Sequence, residues 1–425
     1  MPIAHAGLEP TRTALQNGVV VIAKETRKTP AVTINLAVKA GSACDPFDGL
    51  GTVHLLSRVI DRGTATRSAL DIADQLDGRG VSLTTAVTRH VFSMTCTCLA
   101  GDFEAILELA GDVLTAPRIP DAELATRRGE VITSLRQDED NPAVRASDGV
   151  MALLYGPDHP YGRPAKGTLD SVGRISRDDL LRLHARRFAP SALTIVVVGD
   201  VAAHRVVEAV SRVLGDWRTD GPQPLAVPHA PSTTERRVRV VSMPNKAQAD
   251  IAYAFTTIAR ADKAYYALSL LNNALGQYAL GGRLGDSIRE RQGMAYYVSS
   301  AFSANVVEGP LTIRAGVSAA NVDRTVQSID AELDRLLAEG LTERELTESR
   351  QYLIGSLPRA LETNEGIAQF LQTAEFFDLG LDFDRRLPEL LCSVTLDQTQ
   401  ELARRYLDPR RASVVIAGPY QARHS

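Results

Sequence analysis

Four polar residues within the segment 51–64 could carry chemistry, because helical spacing places them on one face of a predicted helix. They are His54, Ser57, Arg58 and Asp61, and the apolar residues between them form another face. In the zinc motif His-Xaa-Xaa-Glu-His, two imidazoles on such a face hold Zn²⁺ and the glutamate takes a proton from water. Here only the first histidine is present. Ser57 has no carboxylate, and the guanidinium of Arg58 stays protonated and cannot be a ligand.

The residues around this helix resemble a known family, although a single helical histidine is by itself most often a packed or solvated side chain. The run Gly41-Ser42-Ala43-Cys44-Asp45-Pro46, followed by His54 and by Arg62-Gly63-Thr64, is similar to the N-terminal signature of the pitrilysin and insulinase peptidases. The layout is closest to the mitochondrial processing peptidases and their small bacterial relatives. In that family a Gly-Ser turn leads to the zinc helix, which ends at Gly-Thr.

The same resemblance indicates where the family's third zinc ligand would stand. That ligand is a glutamate shortly before an Asp-Xaa-Pro, and Asp140-Asn141-Pro142 matches this marker and places the ligand at Ser134. Glu130 lies one helical turn away, but with His54 it would give two protein ligands where catalytic zinc usually takes three. The resemblance therefore implies that this chain binds no metal itself and that its zinc motif is degenerate at His54, Ser57, Arg58 and Ser134.

A second informative segment spans residues 281–300. Its residues alone predict a glycine-led helix of mixed charge that stops at Gly293 and continues as a tyrosine-rich strand. The segment is also similar to the family's second signature, Arg-Glu-Lys-Xaa-Gly-Leu-Ala-Tyr, with Arg289 and Tyr296 at the arginine and tyrosine positions. In active relatives this pair faces the zinc site across a chamber, binds the peptide and helps hold the oxygen that becomes charged. Arg283 stands in the usual Arg-Leu pair and is expected to be structural.

The resemblance thus implies a chain that keeps the arginine and tyrosine half of a composite active site and lacks the zinc half. We expect a non-catalytic partner subunit of a heterodimeric zinc metallopeptidase. The zinc would belong to a homologous subunit with an intact His-Xaa-Xaa-Glu-His motif, and a peptide would add as a strand along a sheet edge. The alternatives are a pseudopeptidase scaffold, a peptide-binding protein without hydrolysis, and an independent peptidase with a displaced metal site.

The composition is that of a globular protein with more than one domain. The chain has 425 residues, of which 44% are hydrophobic and 23% charged, and its formal charge of −4 gives no reason to expect nucleic acid or an acidic membrane as a partner. No apolar run has the length of a membrane span and no signal-peptide pattern is visible, so we expect a cytoplasmic protein, or a periplasmic one if a leader was omitted. The four cysteines form no metal or redox motif.

Two similar units organise the chain. A helix, a proline and an apolar strand follow one another in residues 178–199, and the same order returns in residues 400–418. A proline-rich segment between these copies predicts a linker. We therefore expect an N-terminal domain at 1–220, a linker at 221–236 and a C-terminal domain at 237–425. Because strands are grouped before helices, each unit is predicted to be α+β, with helices packed on a mostly antiparallel or mixed sheet.

Overall fold

The computed structural model describes residues 7–223, 225–277 and 282–421, and they form two compact units. The first unit contains the described residues up to Leu135, together with Pro164–Ala226 and Leu357–Arg385. The second contains Arg136–Arg163, Val227–Ser356 and the described residues from Arg386 onward. Residues 1–6, the linker proline at position 224 and Gly281 at the start of the second signature lie outside the described residues.

A six-stranded sheet forms the centre of the first unit. Its strands are β1 (Thr11–Ala14), β2 (Val20–Glu25), β3 (Ala31–Val38), β4 (Leu83–Val87), β5 (Phe92–Leu99) and β6 (Leu193–Gly199). They lie in the order β1-β2-β6-β3-β5-β4, with β2 and β6 parallel and the other neighbours antiparallel. The central β6 is buried along its whole length, which explains its largely apolar sequence. The two edge strands are β1 and β4.

The helices of the N-terminal half of the chain lie between β3 and β4, between β5 and β6, and after β6. They are α1 (Thr52–Val59), α2 (Ala69–Asp77), α3 (Phe103–Thr115), α4 (Asp121–Glu139), α5 (Pro142–Tyr155), α6 (Leu169–Arg174), α7 (Arg177–Arg187) and α8 (Ala203–Leu214). Three of them begin at capping boxes, in which a hydroxyl of Ser68, Thr168 or Ser176 accepts from the backbone and a side chain three residues on bonds back. The sequence therefore fixes these helix starts locally.

The second unit is built on a five-stranded sheet. Its strands are β7 (Arg237–Ser242), β8 (Ala249–Thr256), β9 (Ala295–Phe302), β10 (Pro310–Val317) and β11 (Ser413–Gly418), in the order β7-β11-β8-β10-β9. Only β7 and β11 are parallel among these pairs. The helices of this half are α9 (Tyr265–Asn272), π-helices at Asn273–Gln277 and Gly285–Arg291, α10 (Val322–Glu339), α11 (Glu343–Ala360), α12 (Asn364–Phe376), α13 (Phe383–Cys392) and α14 (Leu396–Tyr406).

Each unit takes one helix from the opposite half of the chain. In the first unit α12 packs on β3 and β6, and its residues Ile367, Ala368 and Leu371 are buried with apolar side chains of the sheet. In the second unit α5 packs on β8 and β11, and Gly149 allows close approach to Val415. The predicted domains, which are separated only at the linker, do not include this exchange of helices between the two halves of the chain.

The predicted α+β class with two similar sheets is confirmed, but the prediction that Asp61 lies on the helix within residues 51–64 is wrong. Helix α1 ends at Val59, so Asp61 does not lie on it. The helix expected before Gly293 has the wider π-helical winding at Gly285–Arg291. No helix of the described part of the chain is both long and apolar enough to cross a membrane.

Candidate functional site

The turn before α1 fixes the start of this helix. One carboxylate oxygen of Asp45 accepts from the backbone N–H of Gly51 at 2.8 Å, and the other accepts from that of Val53 at 2.8 Å. These bonds satisfy N–H groups that a helix start leaves without partners. Gly51 has φ of +89°, and a side chain there would collide with the carbonyl oxygen of Lys166. The N-terminal signature is therefore a helix-capping device that positions His54.

The residue that replaces the catalytic glutamate of the zinc motif is directed into the protein. Ser57 is buried, and its hydroxyl donates to the carbonyl oxygen of His54 at 2.7 Å within the same helix. Its own carbonyl oxygen accepts from Oγ1 of Thr85 on β4 at 2.8 Å. Ser57 thus joins α1 to an edge strand and does not share an exposed face with His54 and Arg58. Thr85 was missed by sequence reasoning, because a bond between α1 and β4 depends on tertiary contact.

Arg58, the residue after Ser57, forms an ion pair with helix α4. The guanidinium of Arg58 lies 3.8 Å from Oε2 of Glu130, and Arg127 donates to the other oxygen of Glu130 at 2.6 Å. The bond from Arg127, followed by the charge of Arg58, lowers the pKa of Glu130. Ser134 stands one turn further along α4 and is half-buried. Glu130 is therefore held by two arginines at the point where a displaced metal ligand would be needed.

Charged side chains of both signs meet in this region. Arg62 pairs with Asp61 at 3.0 Å, and the guanidinium groups of Arg58 and Arg127 act on Glu130. Burial raises the pKa of Asp61, while the charges of Arg62, Arg127 and Arg58 act in the opposite direction. The guanidinium of Arg58 would repel a cation bound next to it, because this group remains charged at any working pH.

The donor set does not fit the catalytic zinc that the fold family implies. Of the family's ligand and base positions, only His54 carries a group that binds zinc, since Ser57, Arg58 and Ser134 supply neither imidazole nor carboxylate. Within residues 7–223, 225–277 and 282–421, no three His, Cys, Asp or Glu side chains are grouped so that they could hold a metal ion. The remaining polar groups form ion pairs and helix contacts.

Arg289 lies in the π-helix Gly285–Arg291 of the second unit. Its side chain is 41% exposed, and its guanidinium lies 3.5 Å from the carboxylate of the adjacent Glu290. Arg291 of the same helix makes a closer ion pair, 3.0 Å from Asp286. π-Helical turns are rare and are found frequently at functional sites. Arg289 therefore presents a cation to solvent with only a weak internal ion pair.

Tyr296 lies near the start of β9, an edge strand of the second sheet. It is 67% exposed, which is unusual for a large aromatic side chain. Among the described residues, its hydroxyl has no hydrogen-bond partner. Gly293, with φ of +60°, ends the π-helix and directs the chain into β9. A short turn therefore connects the two residues of the second signature.

Arg283 has the structural role that its place in the signature predicts. Its side chain is 7% exposed and donates to both oxygens of Glu345, at 2.5 and 2.8 Å, and to the carbonyl oxygen of Gly340 at 2.7 Å. These bonds join the segment before the π-helix to α11. His184 and His90 are also structural, since His184 bonds the carbonyl oxygen of Leu114 at 2.8 Å and His90 is buried.

The structure divides the candidate residues between the two units. His54, Ser57, Arg58 and Ser134 belong to the first unit, whereas Arg289 and Tyr296 belong to the second. In the first unit, α1 and α4 face each other through Arg58 and Glu130. In the second unit, the turn at Gly293 joins the two exposed side chains.

Comparisons with known proteins agree over nearly the whole chain. Residues 20–164 match the sequence family described as insulinase (peptidase family M16), and residues 174–353 match the peptidase M16 inactive domain. The chain is 27% identical over 415 residues to an uncharacterized zinc protease of Streptomyces coelicolor, covering 96% of this chain and 89% of that protein. It is 24% identical over 403 residues to the non-peptidase homolog YmxG of Helicobacter pylori, covering 92% of this chain and 90% of that one.

A solved structure shares the fold. The crystal structure of a peptidase M16 inactive domain from Pseudomonas fluorescens superimposes with a TM-score of 0.90 at 25% sequence identity. The match covers 98% of this chain and 100% of that one.

Proposed function

The chain belongs to the insulinase (M16) peptidase family, and we propose that it is a non-catalytic subunit that completes the active site of a homologous, zinc-bearing partner. In this proposal the two subunits form a heterodimeric peptidase. The partner has the intact His-Xaa-Xaa-Glu-His motif and holds the zinc. This chain supplies Arg289 and Tyr296.

One observation carries the proposal: the two halves of the family's active site differ in this chain. At the zinc half, a guanidinium stands at a ligand position, and Glu130 is bound by Arg58 and Arg127. At the other half, Arg289 and Tyr296 keep the residue types of the signature and are exposed. A scaffold would not need an exposed phenol at the edge of a sheet, whereas a subunit that contacts a peptide would.

The chemistry of the pair suits the stabilisation of a charged oxygen. A guanidinium and a phenolic hydroxyl are both donors, and neither needs to gain or lose a proton to act. Donors directed at an oxygen that becomes negative during peptide hydrolysis lower the barrier, and removing one typically costs about 10²–10³ in kcat. Arg289 also attracts the peptide, because the carbonyl oxygens of the peptide backbone carry partial negative charge. The zinc of the partner would supply the activation of water.

The peptide would bind by strand addition. Within the described residues β4 and β9 each pair with a single neighbouring strand, so each leaves one row of backbone groups available. Main-chain hydrogen bonds to such an edge tolerate many peptide sequences. Tyr296 lies on one of these edges, where it can contact a peptide held by backbone bonds.

Reconstitution with a homologous subunit that carries the intact motif tests the proposal. The two proteins are purified separately and mixed, and cleavage of a fluorogenic peptide is followed for each alone and for the mixture. Arg289→Ala and Tyr296→Phe should each lower kcat of the complex by about 100-fold, because each removes one oxyanion donor. Neither substitution should change the affinity of the two subunits for each other, as measured by analytical sedimentation.

Two matched variants serve as controls. Arg291→Ala removes an exposed arginine from the same π-helix, and Tyr352→Phe removes the hydroxyl of another partly exposed tyrosine of the second unit. Both should leave turnover within about twofold of the parent, as expected of surface changes outside the site. Equal turnover in Arg289→Ala, Tyr296→Phe and the controls would contradict the proposal.

A second candidate function is a protein of the same fold without any role in hydrolysis. The match to a Helicobacter pylori protein named a non-peptidase homolog favours it. As a scaffold or peptide-binding protein, the chain would associate with partners or peptides, and no mixture with a zinc-bearing homologue would cleave peptides faster than that homologue alone. The reconstitution experiment therefore separates the two functions.

A further inference from the structure

The exposure of Tyr296 results from an irregularity in the pairing of its strand. Along β9 and β10 the pairs Val298–Ala315 and Tyr297–Gly316 follow a regular register, but the next pair joins Ala295 to Val317. Tyr296 is therefore an extra residue without a partner opposite it. This is a β-bulge, a feature that is over-represented at sheet edges and next to active sites, where it redirects a side chain.

Without the bulge, Tyr296 would be directed toward the core. Val298 and Ser300 on the same strand are 5% and 4% exposed. In a regular strand every second side chain lies on the same face, so Tyr296 would share this buried face. In the bulged strand Ala295 takes the pairing with Val317 and packs against the core. Tyr296 instead reaches solvent, so the bulge decides which environment this side chain meets.

A tyrosine fixes the strand on the C-terminal side of the bulge. Tyr297 extends across Gly316, its partner on β10, and its hydroxyl donates to Asp250 on β8, the next strand. Asp250 is 1% exposed, and its other oxygen accepts from Nε2 of Gln248 at 3.1 Å. Burial, followed by the hydrogen bond to Asp250, raises the pKa of Tyr297 to about 12, so its hydroxyl remains a donor.

Glycine is required beneath this tyrosine. A Cβ atom on Gly316 would overlap the aromatic ring of Tyr297. The ring can therefore reach Asp250 only because position 316 has no side chain. We call Tyr297, Gly316 and Asp250 the tyrosine clamp.

The backbone is also fixed on the N-terminal side of the bulge. Met294 is buried, and its N–H donates to the carbonyl oxygen of Ile288 in the π-helix at 3.1 Å. Nδ2 of Asn321 donates to the carbonyl oxygen of Met294 at 3.5 Å. With both flanks held, the one surplus residue, Tyr296, is forced outward.

We propose that the tyrosine clamp consists of positioning residues that hold the bulge and so present Tyr296 to the peptide. The inference deepens the proposed function and rests on it for the role of Tyr296. The clamp residues do not touch the peptide themselves. They act through the conformation of β9, as cross-strand contacts pin the register of a strand.

The first test measures the strand without any peptidase activity. Tyr297→Phe removes only the hydroxyl of the clamp, and hydrogen–deuterium exchange of the full chain is followed in peptides that cover β9. Loss of a hydrogen bond to a buried carboxylate should speed exchange at the start of β9 by about tenfold. Gly316→Ala, which displaces the ring, should give the same pattern.

Tyr253→Phe is the matched control for this measurement. Tyr253 also lies in the second unit, on β8, and its hydroxyl donates to a carboxylate, that of Asp330, at 2.7 Å. It makes no contact of this kind with β9, so exchange at the start of β9 should remain at the parent rate. Unchanged exchange at β9 in both Tyr297→Phe and Gly316→Ala would overturn the inference.

The second test measures whether Tyr297 acts through Tyr296. In the reconstituted complex Tyr297→Phe should lower kcat by about tenfold and leave KM within about twofold, while Tyr253→Phe should change neither. In a Tyr296→Phe background, Tyr297→Phe should lower kcat no further. An equal loss in both backgrounds would overturn the positioning role.

The two tests also separate this inference from the proposed function. If Tyr296→Phe leaves turnover of the complex unchanged, the role proposed for Tyr296 in hydrolysis is refuted. Hydrogen–deuterium exchange at β9 alone then decides whether the clamp holds the bulge. If Tyr296→Phe lowers turnover but Tyr297→Phe changes neither exchange nor kcat, the proposed function stands and the clamp is refuted.

Discussion

Restoring two ligands should make α1 and α4 bind zinc. The double variant Arg58→His/Ser134→Glu supplies, with His54, the three protein ligands of a catalytic zinc site. Position 58 already faces α4, because the guanidinium of Arg58 lies 3.8 Å from Glu130, and Ser134 follows Glu130 by one helical turn. Ser57 remains in place, so the variant should bind zinc without gaining peptidase activity.

The distance between Arg58 and Glu130 sets the size of the electrostatic effect. Both side chains are about half exposed, at 50% and 43%, so the dielectric constant is close to that of water. A dication at 3.8 Å from the guanidinium would then be repelled by about 2 kcal/mol, or ~40-fold in Kd. Ser134→Glu alone should therefore bind zinc at least ~40-fold more weakly than Arg58→Ala/Ser134→Glu. The added histidine should tighten binding further, to a Kd of about 1 μM.

Competition with a colorimetric zinc chelator measures these affinities, and the absorption spectrum of the cobalt-substituted protein reports tetrahedral geometry. Replacing Arg58 breaks an exposed ion pair worth about 1 kcal/mol or less, so the variants should remain folded. A folded double variant that binds no more zinc than Ser134→Glu would refute the reasoning. It would mean that the facing surfaces of α1 and α4 cannot form a metal site.

Three further predictions concern the stability and reactivity of the chain. Arg283→Ala should lower the free energy of unfolding in urea by about 3 kcal/mol, because it leaves Glu345 without its buried partner; an unchanged midpoint would contradict the structural role. Burial lowers the pKa of His90 to about 4. Its contribution to the free energy of unfolding is therefore complete above its ordinary pKa of about 6.5 and is lost as the pH falls toward 4. The free energy of unfolding, measured with urea, should accordingly be about 2 kcal/mol lower at about pH 5 than at about pH 7, and His90→Gln should remove most of this difference. Cys392 is exposed, whereas burial raises the pKa of the other thiols; a thiol reagent should therefore modify one cysteine quickly in the native protein and none in Cys392→Ser, with unreactive Cys44, Cys96 and Cys98.

Local sequence patterns predicted many strands and helices of the fold, but neither the end of α1 at Val59 nor the π-helical winding before Gly293. The largely apolar run 193–199 predicts a strand, which the structure shows as the buried β6, and spacing by two predicts that Cys96 and Cys98 share one face of a strand, as they do on β5. The exchange of α5 and α12 between the units was not predictable, because an apolar helix face does not specify the sheet it covers. Contact between distant segments decides that choice.

The candidate site shows the same limit. The signatures predict which residue types occupy α1 and the turn at Gly293, but they predict neither the inward direction of Ser57 nor the pairing of Arg58 with Glu130. The bulge at Tyr296 depends on the register between β9 and β10 and on a glycine at position 316. A sequence gives no register for strands that are far apart, so the environment of Tyr296 had to come from the structure.

Peptide cleavage by the chain alone and by its mixture with a zinc-bearing homologous subunit is the most direct test of the central claim. The account predicts no cleavage by this chain, and cleavage by the mixture that falls by about 100-fold when Tyr296 is replaced by phenylalanine. Zinc-dependent cleavage by the purified chain on its own, abolished by His54→Ala, would contradict it.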